Sequence, residues 1–434
     1  MTTSPSTAFA FAGLGGNNAH SAGFLAAAQE LQRQRFQAVH PERSGAGFVG
    51  GVEPAQRRPH LILPELEFIS CTSGTIASVV TYLKGEDVRE ATEKGIAAVD
   101  AVNLLPRNAL ADSWRPFGIM LFTGVPGVLG PWVKAFARHL AERVTGFVNP
   151  KSPYYWAVPT TIDEFADLWL PAQAFVPERP QEFFDEAARV LADADHTHGV
   201  GVAFNSFDPK AGIEQLYVNA TGLARIKNHY DENAEYGHAH GHTLYQPITP
   251  DAVRNALWLF NYGFPTDKLG PDRYVDGAYA RSIILNELTA AKRIYAVKPV
   301  NDRWLGRLPQ NQFEISDMQI EFWTEASYRE QYRLIQTIND LQDAGRLQDA
   351  VPAPKSEGRV KSTGAVRAAT TADQRLLRVK AKEYARLDLI PVEIAIQRGY
   401  FTYFVENREV FRDAYGQSLR VLLEHDENDA DRAA

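Results

Sequence analysis

The sequence has a single cysteine, no long apolar run and no excess of basic side chains. Because Cys71 is alone, the chain can form no intrachain disulfide, cysteine-based zinc site or redox pair, which favours a reducing compartment. No run reaches the roughly 18 apolar residues of a membrane span, and no positive charge precedes the short apolar stretch within residues 1–10. We therefore expect a cytoplasmic protein that is neither exported nor inserted into a membrane.

The charge balance is mildly acidic. Lys and Arg number 45 against 53 Asp and Glu, for a net charge of −8. This sign opposes binding to a nucleic-acid backbone, so no nucleic-acid partner is expected. With 45% hydrophobic and 23% charged residues, the composition is that of an ordinary globular protein, and 434 residues allow more than one domain.

Two strand, turn and helix units open the chain. Residues 8–12 read as a strand that enters the glycine-rich turn 13–18, and a helical pattern begins at Ser21. Residues 66–71 read as a second strand that runs without a gap through Thr72, Ser73 and Gly74 into a helix. Further predicted elements are a hairpin of 199–205 and 214–219, helices at 132–146, 250–260 and 281–291, and strands at 274–275 and 293–300. The alternation predicts an α/β fold with a mostly parallel sheet.

The last part of the chain differs in character. It contains a predicted long helix at 316–341, a segment at 345–371 that is poor in large apolar residues and reads as a flexible linker, and helices at 373–396 and 407–423. The acidic residues 424–431 read as a solvated end. We therefore divide the chain into an α/β domain at 1–310 and a helical extension at 311–434.

Ser73 is the first candidate for chemistry. A serine on a sharp turn between a strand and a helix presents its hydroxyl away from the backbone, and it needs small neighbours because such a turn is crowded. This is the arrangement of a nucleophile elbow, here formed by Cys71, Thr72, Ser73 and Gly74. The alternative is that Ser73 is an ordinary helix N-cap.

A base for this serine is expected later in the chain. After Val275 the only histidine is His425, in the acidic end, which argues against a Ser-Asp-His triad. Asp276 follows a predicted strand and precedes Gly277, so its carboxylate is a candidate base. The alternative is an ordinary Asp-Gly turn.

Three segments in this order resemble the patatin-like phospholipase family, serine acyl hydrolases with a Ser-Asp dyad. That family has a Gly-Gly-Gly-x-Arg/Lys-Gly turn, a Gly-x-Ser-x-Gly elbow and an Asp-Gly-Gly or Asp-Gly-Ala base motif. The matching segments are Gly13-Leu14-Gly15-Gly16-Asn17-Asn18, Cys71-Thr72-Ser73-Gly74-Thr75 and Asp276-Gly277-Ala278. The likeness spans about residues 8–300 and implies a three-layer α/β/α domain with a mostly parallel central sheet.

The resemblance also implies roles. Ser73 is the nucleophile, Asp276 is the base, and the backbone N–H groups of Gly15 and Gly16, with Asn17 beside them, form the oxyanion hole. This chemistry requires no metal or organic cofactor. The substrate would be an acyl ester or lipid, and the apolar segment 114–128 would then be either core or a contact for acyl chains.

Several positions depart from the family pattern. Asn17 replaces Arg or Lys, Asn18 replaces Gly, and Cys71 and Thr75 stand where the elbow has glycines. The alternative function is therefore a catalytically degenerate patatin-fold protein that serves as a lipid-binding or protein-interaction scaffold. Peripheral membrane contact and a homo-oligomer are further partners left open.

Two groups of histidines are further candidates for a role. His238, His240 and His242 would share one face of an extended strand, which makes them weak metal-ligand candidates, but Gly237 and Gly241 favour a polar loop. His20, in the first turn of the first helix, is expected to be a surface or capping residue with its hydrogen bonds satisfied.

The glycine-rich turn 13–18 also partly matches a dinucleotide-binding pattern, but no acidic residue follows at the required distance.

Overall fold

One mixed sheet forms the centre of the protein, and helices pack on both of its faces. A computed structural model describes residues 5–13, 19–39, 61–102, 129–152, 180–258, 274–298, 308, 312–343, 386–394 and 407–433. In these ranges the strands are β1 Thr7–Phe11, β2 Leu66–Cys71, β3 Gly201–Asp208, β4 Ile213–Val218, β5 Ala239–His240, β6 Thr243–Pro247, β7 Val275–Asp276, β8 Arg293–Lys298 and β9 Asp388–Glu393. The helices are α1 Ala19–Val39, α2 Thr75–Leu83, α3 Val88–Val102, α4 Leu129–Val148, α5 Gln181–His198, α6 Ala220–His229, α7 Pro250–Ala256, α8 Gln312–Asp343 and α9 Asn407–Ala433.

Strand β1 lies inside the sheet and pairs in parallel with β2 on one side and β8 on the other. The strand order among the described residues is β5-β6-β4-β3-β2-β1-β8-β9, with β7 paired to β3. The pairs β2–β3, β4–β6 and β8–β9 are also parallel, whereas β3–β4, β5–β6 and β3–β7 are antiparallel. The predicted α/β class, with a mostly parallel central sheet and a carboxyl-terminal helix, is confirmed.

Strand β1 shows why both faces of the sheet are covered. Phe9 and Phe11 point into one core, which contains α1 and α2, while Ala8 and Ala10 point into the other, which contains residues of α8. All four side chains are fully buried. Because successive residues of a strand face opposite sides, a strand that is apolar at every position belongs between two layers of helices.

The predicted helix at 373–396 is wrong where the structure describes it, because Asp388–Glu393 forms the edge strand β9. Pro391 opposes a helix at this point, since it lacks an N–H group and clashes with the preceding turn. Burial alternates instead with a period of two: Ile390 and Val392 are buried while Pro391 and Glu393 are exposed. This alternation is typical of a strand.

The predicted helix at 281–291 is also wrong, since only Asn286–Leu288 forms a short 3-10 turn there. Neighbouring side chains pair with the backbone of this segment. Ser70 donates to the Ile284 carbonyl at 2.7 Å, and the Leu285 N–H donates to Gln331 at 3.0 Å. These tertiary bonds take the place of the i to i−4 bonds of a helix.

The acidic end continues α9 to Ala433 rather than standing free in solvent. Asp426 pairs with Arg35 at 2.6 Å, and Asp429 pairs with Arg293 at 2.6 Å. The expectation of a merely solvated end is therefore wrong for these two carboxylates. They tie the last helix to α1 and to β8.

Two predicted segments, the linker at 345–371 and the apolar stretch at 114–128, lie outside the described residues. The division of the chain at residue 310 stays a prediction, although β9 and α9, from beyond that point, join the sheet and the helices that cover it. In the part of the chain that the structure describes, no helix is both long enough and apolar enough to span a bilayer.

The contact between α1 and α9 yields a test of packing. A Cβ atom at Gly23 would lie 2.5 Å from the Cβ of Ala414 and 2.8 Å from the Phe411 carbonyl oxygen. We expect Gly23→Ala to lower the free energy of unfolding by about 1–3 kcal/mol, because the two helices must separate. Chemical denaturation measures this change.

Gly416→Ala is the matched control in α9, since a Cβ there meets nothing within 4 Å. It should raise the free energy of unfolding by about 0.5–1 kcal/mol, because alanine favours the helix. Equal effects of the two substitutions would contradict the close helix contact.

Candidate functional site

Ser73 occupies a sharp turn between β2 and α2. Its φ angle is +62°, and it is the one non-glycine residue in the described ranges with a positive φ. A left-handed backbone costs an L-residue roughly 1–2 kcal/mol. The N-cap position of α2 belongs to Gly74, which has helical angles, and no side chain caps the helix there. The alternative of Ser73 as an ordinary N-cap therefore does not fit the structure.

The neighbours of Ser73 hold the turn in a crowded space. The Thr75 hydroxyl donates to the Thr72 carbonyl at 2.7 Å. A Cβ atom at Gly13 would lie 2.8 Å from the Ser73 Cβ and 2.8 Å from the Thr72 carbonyl oxygen. Cys71 is fully buried, and burial raises the pKa of its thiol, so the residue packs as a small apolar side chain.

Asp276 ends β7 and is fixed on three sides. Its N–H donates to the Trp258 carbonyl at 2.7 Å, and its Oδ1 atom accepts from the Ala278 N–H at 2.9 Å. Its pairing with Ser206 holds β7 against β3. The carboxylate is completely buried, and its Oδ2 atom has no hydrogen-bond partner among the described residues.

The register of the sheet brings Ser73 and Asp276 together. Cys71, the last residue of β2, lies opposite Phe204, so the chain two residues beyond the strand is directed toward the level of Ser206, which lies opposite Asp276. The Ser73 hydroxyl is close enough to favour the ionised carboxylate. Because Oδ2 keeps no partner of standard geometry, this contact falls short of a full hydrogen bond.

The environment of Asp276 makes its carboxylate a stronger base than usual. Burial raises the pKa to about 7 from the ordinary 3.8, while the Ser73 hydroxyl and the Ala278 N–H oppose this rise only in part. Burial dominates because a charge without water around it is costly. A carboxyl group that titrates near neutral pH beside a serine on an elbow has the properties of a general base.

Gly15, Gly16 and Asn17, the predicted oxyanion residues, lie outside the described residues, as does Asn18. The residues on either side are described. Gly13, at the beginning of this turn, donates its N–H to the Ser282 carbonyl at 2.8 Å. The fully buried His20 donates from Nε2 to the Ala12 carbonyl at 2.8 Å, and burial lowers its pKa to about 4. It is therefore a neutral buried residue rather than the expected surface histidine.

The three histidines considered for a metal do not form one cluster. His240 Nδ1 lies 3.3 Å from Asp231 Oδ2, and His238 Nε2 lies 3.9 Å from the same atom. His242 is exposed and follows Gly241, whose positive φ turns the chain between β5 and β6. Across the described ranges, no group of three or more His, Cys, Asp or Glu side chains is arranged to hold a metal ion.

Sequence reasoning missed a buried polar cluster behind Asp276. Asn205, Glu214, Arg281 and Glu287 are linked by hydrogen bonds and ion pairs. The signal was present in the sequence, since the polar residues Asn205 and Glu214 stand at the facing ends of two predicted strands. A buried polar residue in such a strand needs a partner, but the sequence alone does not say which one.

Comparison with known proteins adds little. The sequence matches no protein-family model, and a search of curated proteins gives no match. Among solved structures, the chain is similar to VipD from Legionella pneumophila at 9% sequence identity. That alignment covers 98% of this chain and 68% of the other, with a TM-score of 0.27.

The backbone of Ser73 gives a stability prediction. Ser73→Gly should unfold with a free energy about 1 kcal/mol above that of Ser73→Ala, because glycine adopts a positive φ without a Cβ clash. The control is Ser78, in the interior of α2, where the order should reverse because glycine disfavours a helix by about 1 kcal/mol. Denaturant unfolding of the four variants measures both orders, and a Ser73→Ala variant at least as stable as Ser73→Gly would rule out strain at Ser73.

The raised pKa of Asp276 predicts how stability depends on pH. Below pH 4 the carboxyl group is protonated in both states, whereas between pH 4 and about 7 unfolding releases its proton, so stability falls as pH rises. Asp276→Asn avoids this loss of stability, because the asparagine side chain carries no titrating proton. The variant should match the wild type near pH 4 and exceed it by up to about 4 kcal/mol above pH 7. A stability difference that is constant across this range would contradict the buried charge.

Proposed function

We propose that the protein is a serine acyl hydrolase that cleaves carboxylic esters, with Ser73 as nucleophile and Asp276 as general base. The observation that carries this proposal is the meeting of a strained serine with a buried carboxylate whose Oδ2 atom is unpartnered. The resemblance of three motifs to the patatin-like phospholipase family supports the same pair of residues. Ester or lipid acyl groups are therefore the proposed substrates.

In the first half of the reaction, Ser73 Oγ attacks the ester carbonyl carbon while its proton passes to Asp276. The tetrahedral intermediate collapses, the bond to the leaving oxygen breaks, and the proton on Asp276 passes to the departing alcohol. An acyl-serine ester remains. A carboxylate suits this role because its pKa is near 7, so it accepts a proton and returns it at neutral pH.

In the second half, water attacks the acyl-serine carbonyl. Asp276 takes a proton from this water and returns it to Ser73 Oγ as the acyl bond breaks, which releases the acid and restores the enzyme. Gly15 and Gly16 remain the proposed donors to the oxyanion. The approach of Gly13 to Ser73 supports this assignment, because the glycine-rich turn begins directly beside the nucleophile.

A fluorophosphonate probe and a series of p-nitrophenyl esters of increasing chain length test this function. The wild type should be labelled and should hydrolyse esters, with kcat/KM falling about tenfold per pH unit below pH 7 as Asp276 becomes protonated. Ser73→Ala should abolish labelling and lower hydrolysis by at least about 10³-fold. Asp276→Asn should lower both rates by about 10²–10⁴-fold.

Ser78→Ala is the matched control, since this α2 serine is bonded to Ser21 at 2.9 Å and has no role in the reaction. It should be labelled like the wild type. A wild type that neither reacts with the probe nor hydrolyses any ester would refute the enzyme and favour the non-catalytic scaffold. Labelling that survives in Ser73→Ala would assign the reaction to another residue.

A further inference from the structure

The turn that follows Asp276 is held by hydrogen bonds to the Gly277 carbonyl. The N–H groups of Ala280 and Arg281 both donate to this oxygen at 2.9 Å. Asp276 Oδ1 is held inside the same turn by the Ala278 N–H. The direction of the carboxylate therefore depends on where the turn of residues 277–281 sits relative to the sheet.

Asn205 of β3 anchors this turn to the sheet. Its Nδ2 group lies 3.4 Å from the Gly277 carbonyl oxygen and 3.1 Å from the Arg281 carbonyl oxygen, and it donates to Glu214 Oε1 at 2.7 Å. Asn205 is completely buried. The fit is close, since a Cβ atom at Gly277 would lie 2.1 Å from Asn205 Oδ1. Only glycine allows the turn to approach this side chain.

Arg281 fixes the other end of the turn through two buried glutamates. Its guanidinium donates to both oxygens of Glu287, at 2.8 and 2.9 Å, and its Nη2 atom lies 3.0 Å from Glu214 Oε2. Burial opposes the charge, but the two carboxylates outweigh it and raise the pKa of Arg281. Glu214 also accepts from Asn205, so this carboxylate links the two side chains that hold the turn.

We propose that Asn205 and Arg281 are positioning residues, which hold the turn of residues 277–281 so that Asp276 Oδ2 faces Ser73 with no other partner. Neither residue is required to touch the substrate. The proposal rests on the proposed function, because it assigns these residues to the general base of that reaction. Bidentate ion pairs and buried amides suit the task, since a displacement of about 1 Å at a reacting group can cost about 10²-fold in rate.

Asn205→Ala tests the proposal. It should lower kcat about 10–100-fold while KM changes less than about threefold, because the base moves and the substrate contacts do not. Asn205→Ser, which keeps one donor, should recover part of the loss, and it replaces the alanine variant if that variant does not fold. In the Asp276→Asn background, Asn205→Ala should cause no further loss beyond about twofold, since the two residues act as one unit.

The matched control is Asn219→Ala. This buried asparagine lies near the amino-terminal end of β3, where its amide donates to the Val200 carbonyl at 3.0 Å and to the Leu191 carbonyl at 3.3 Å. It should reduce stability while kcat stays within about threefold of the wild type. Losses of kcat that are equal in the two variants, or that multiply with Asp276→Asn, would overturn the positioning role.

A second readout does not need activity. The stability difference between the wild type and Asp276→Asn grows from about pH 4 until the pH reaches the folded-state pKa of Asp276, about 7. In the Asn205→Ala background this upper limit should fall by about one pH unit, because a looser turn admits water to the carboxylate, while the lower limit, set by the unfolded chain, stays in place. An upper limit that stays near pH 7 refutes the positioning role even if the chain hydrolyses no ester. If the wild type is inactive but Asn205→Ala still lowers this upper limit, only the proposed hydrolase is refuted.

Discussion

The Asp276 carboxylate is completely buried, and within the described ranges no cation pairs with it. Among the described residues, only the Ser73 hydroxyl and the Ala278 N–H favour the ionised form. Arg281 lies only five residues further along the chain, but Glu214 and Glu287 bind its guanidinium. If Arg281 paired with Asp276 instead, the carboxylate would lose most of its basicity. The two glutamates therefore hold the Arg281 guanidinium in ion pairs of their own.

The sheet supplies the rest of the geometry. Parallel strands end at the same edge, so the chain leaving β1 at Gly13 and the chain leaving β2 at Ser73 meet there. Strand β7 runs against β3 for only two residues, which is enough to place Asp276 beside the same edge. Rigid strands on both sides of the site restrict Ser73 and Asp276 more tightly than flexible loops would.

Local pattern was sufficient to predict much of this arrangement. The strand at 66–71, the sharp turn at Ser73 and the alternation of strands with helices depend on residues that are neighbours in the sequence, and the structure has them where the pattern placed them. The helices predicted at 281–291 and 373–396 failed for a different reason. Ser70 and Gln331 bond to the first segment from other elements, and β8 pairs with the second, so tertiary contacts override local preference. The cluster of Asn205, Glu214 and Arg281 was missed for the same reason, since its members meet only in the folded chain.

The packing of α9 on α1 has a consequence for how the chain is synthesised. Arg35 and Asp426 are 391 residues apart in the sequence, yet they form an ion pair at 2.6 Å. At roughly 5–20 residues per second, a ribosome needs on the order of 20–80 s to reach the second residue after the first. During that interval the face of α1 around Gly23 lacks its partner Ala414, and apolar surface is open to other chains. In the nascent chain this face of α1 therefore stays uncovered until α9 emerges.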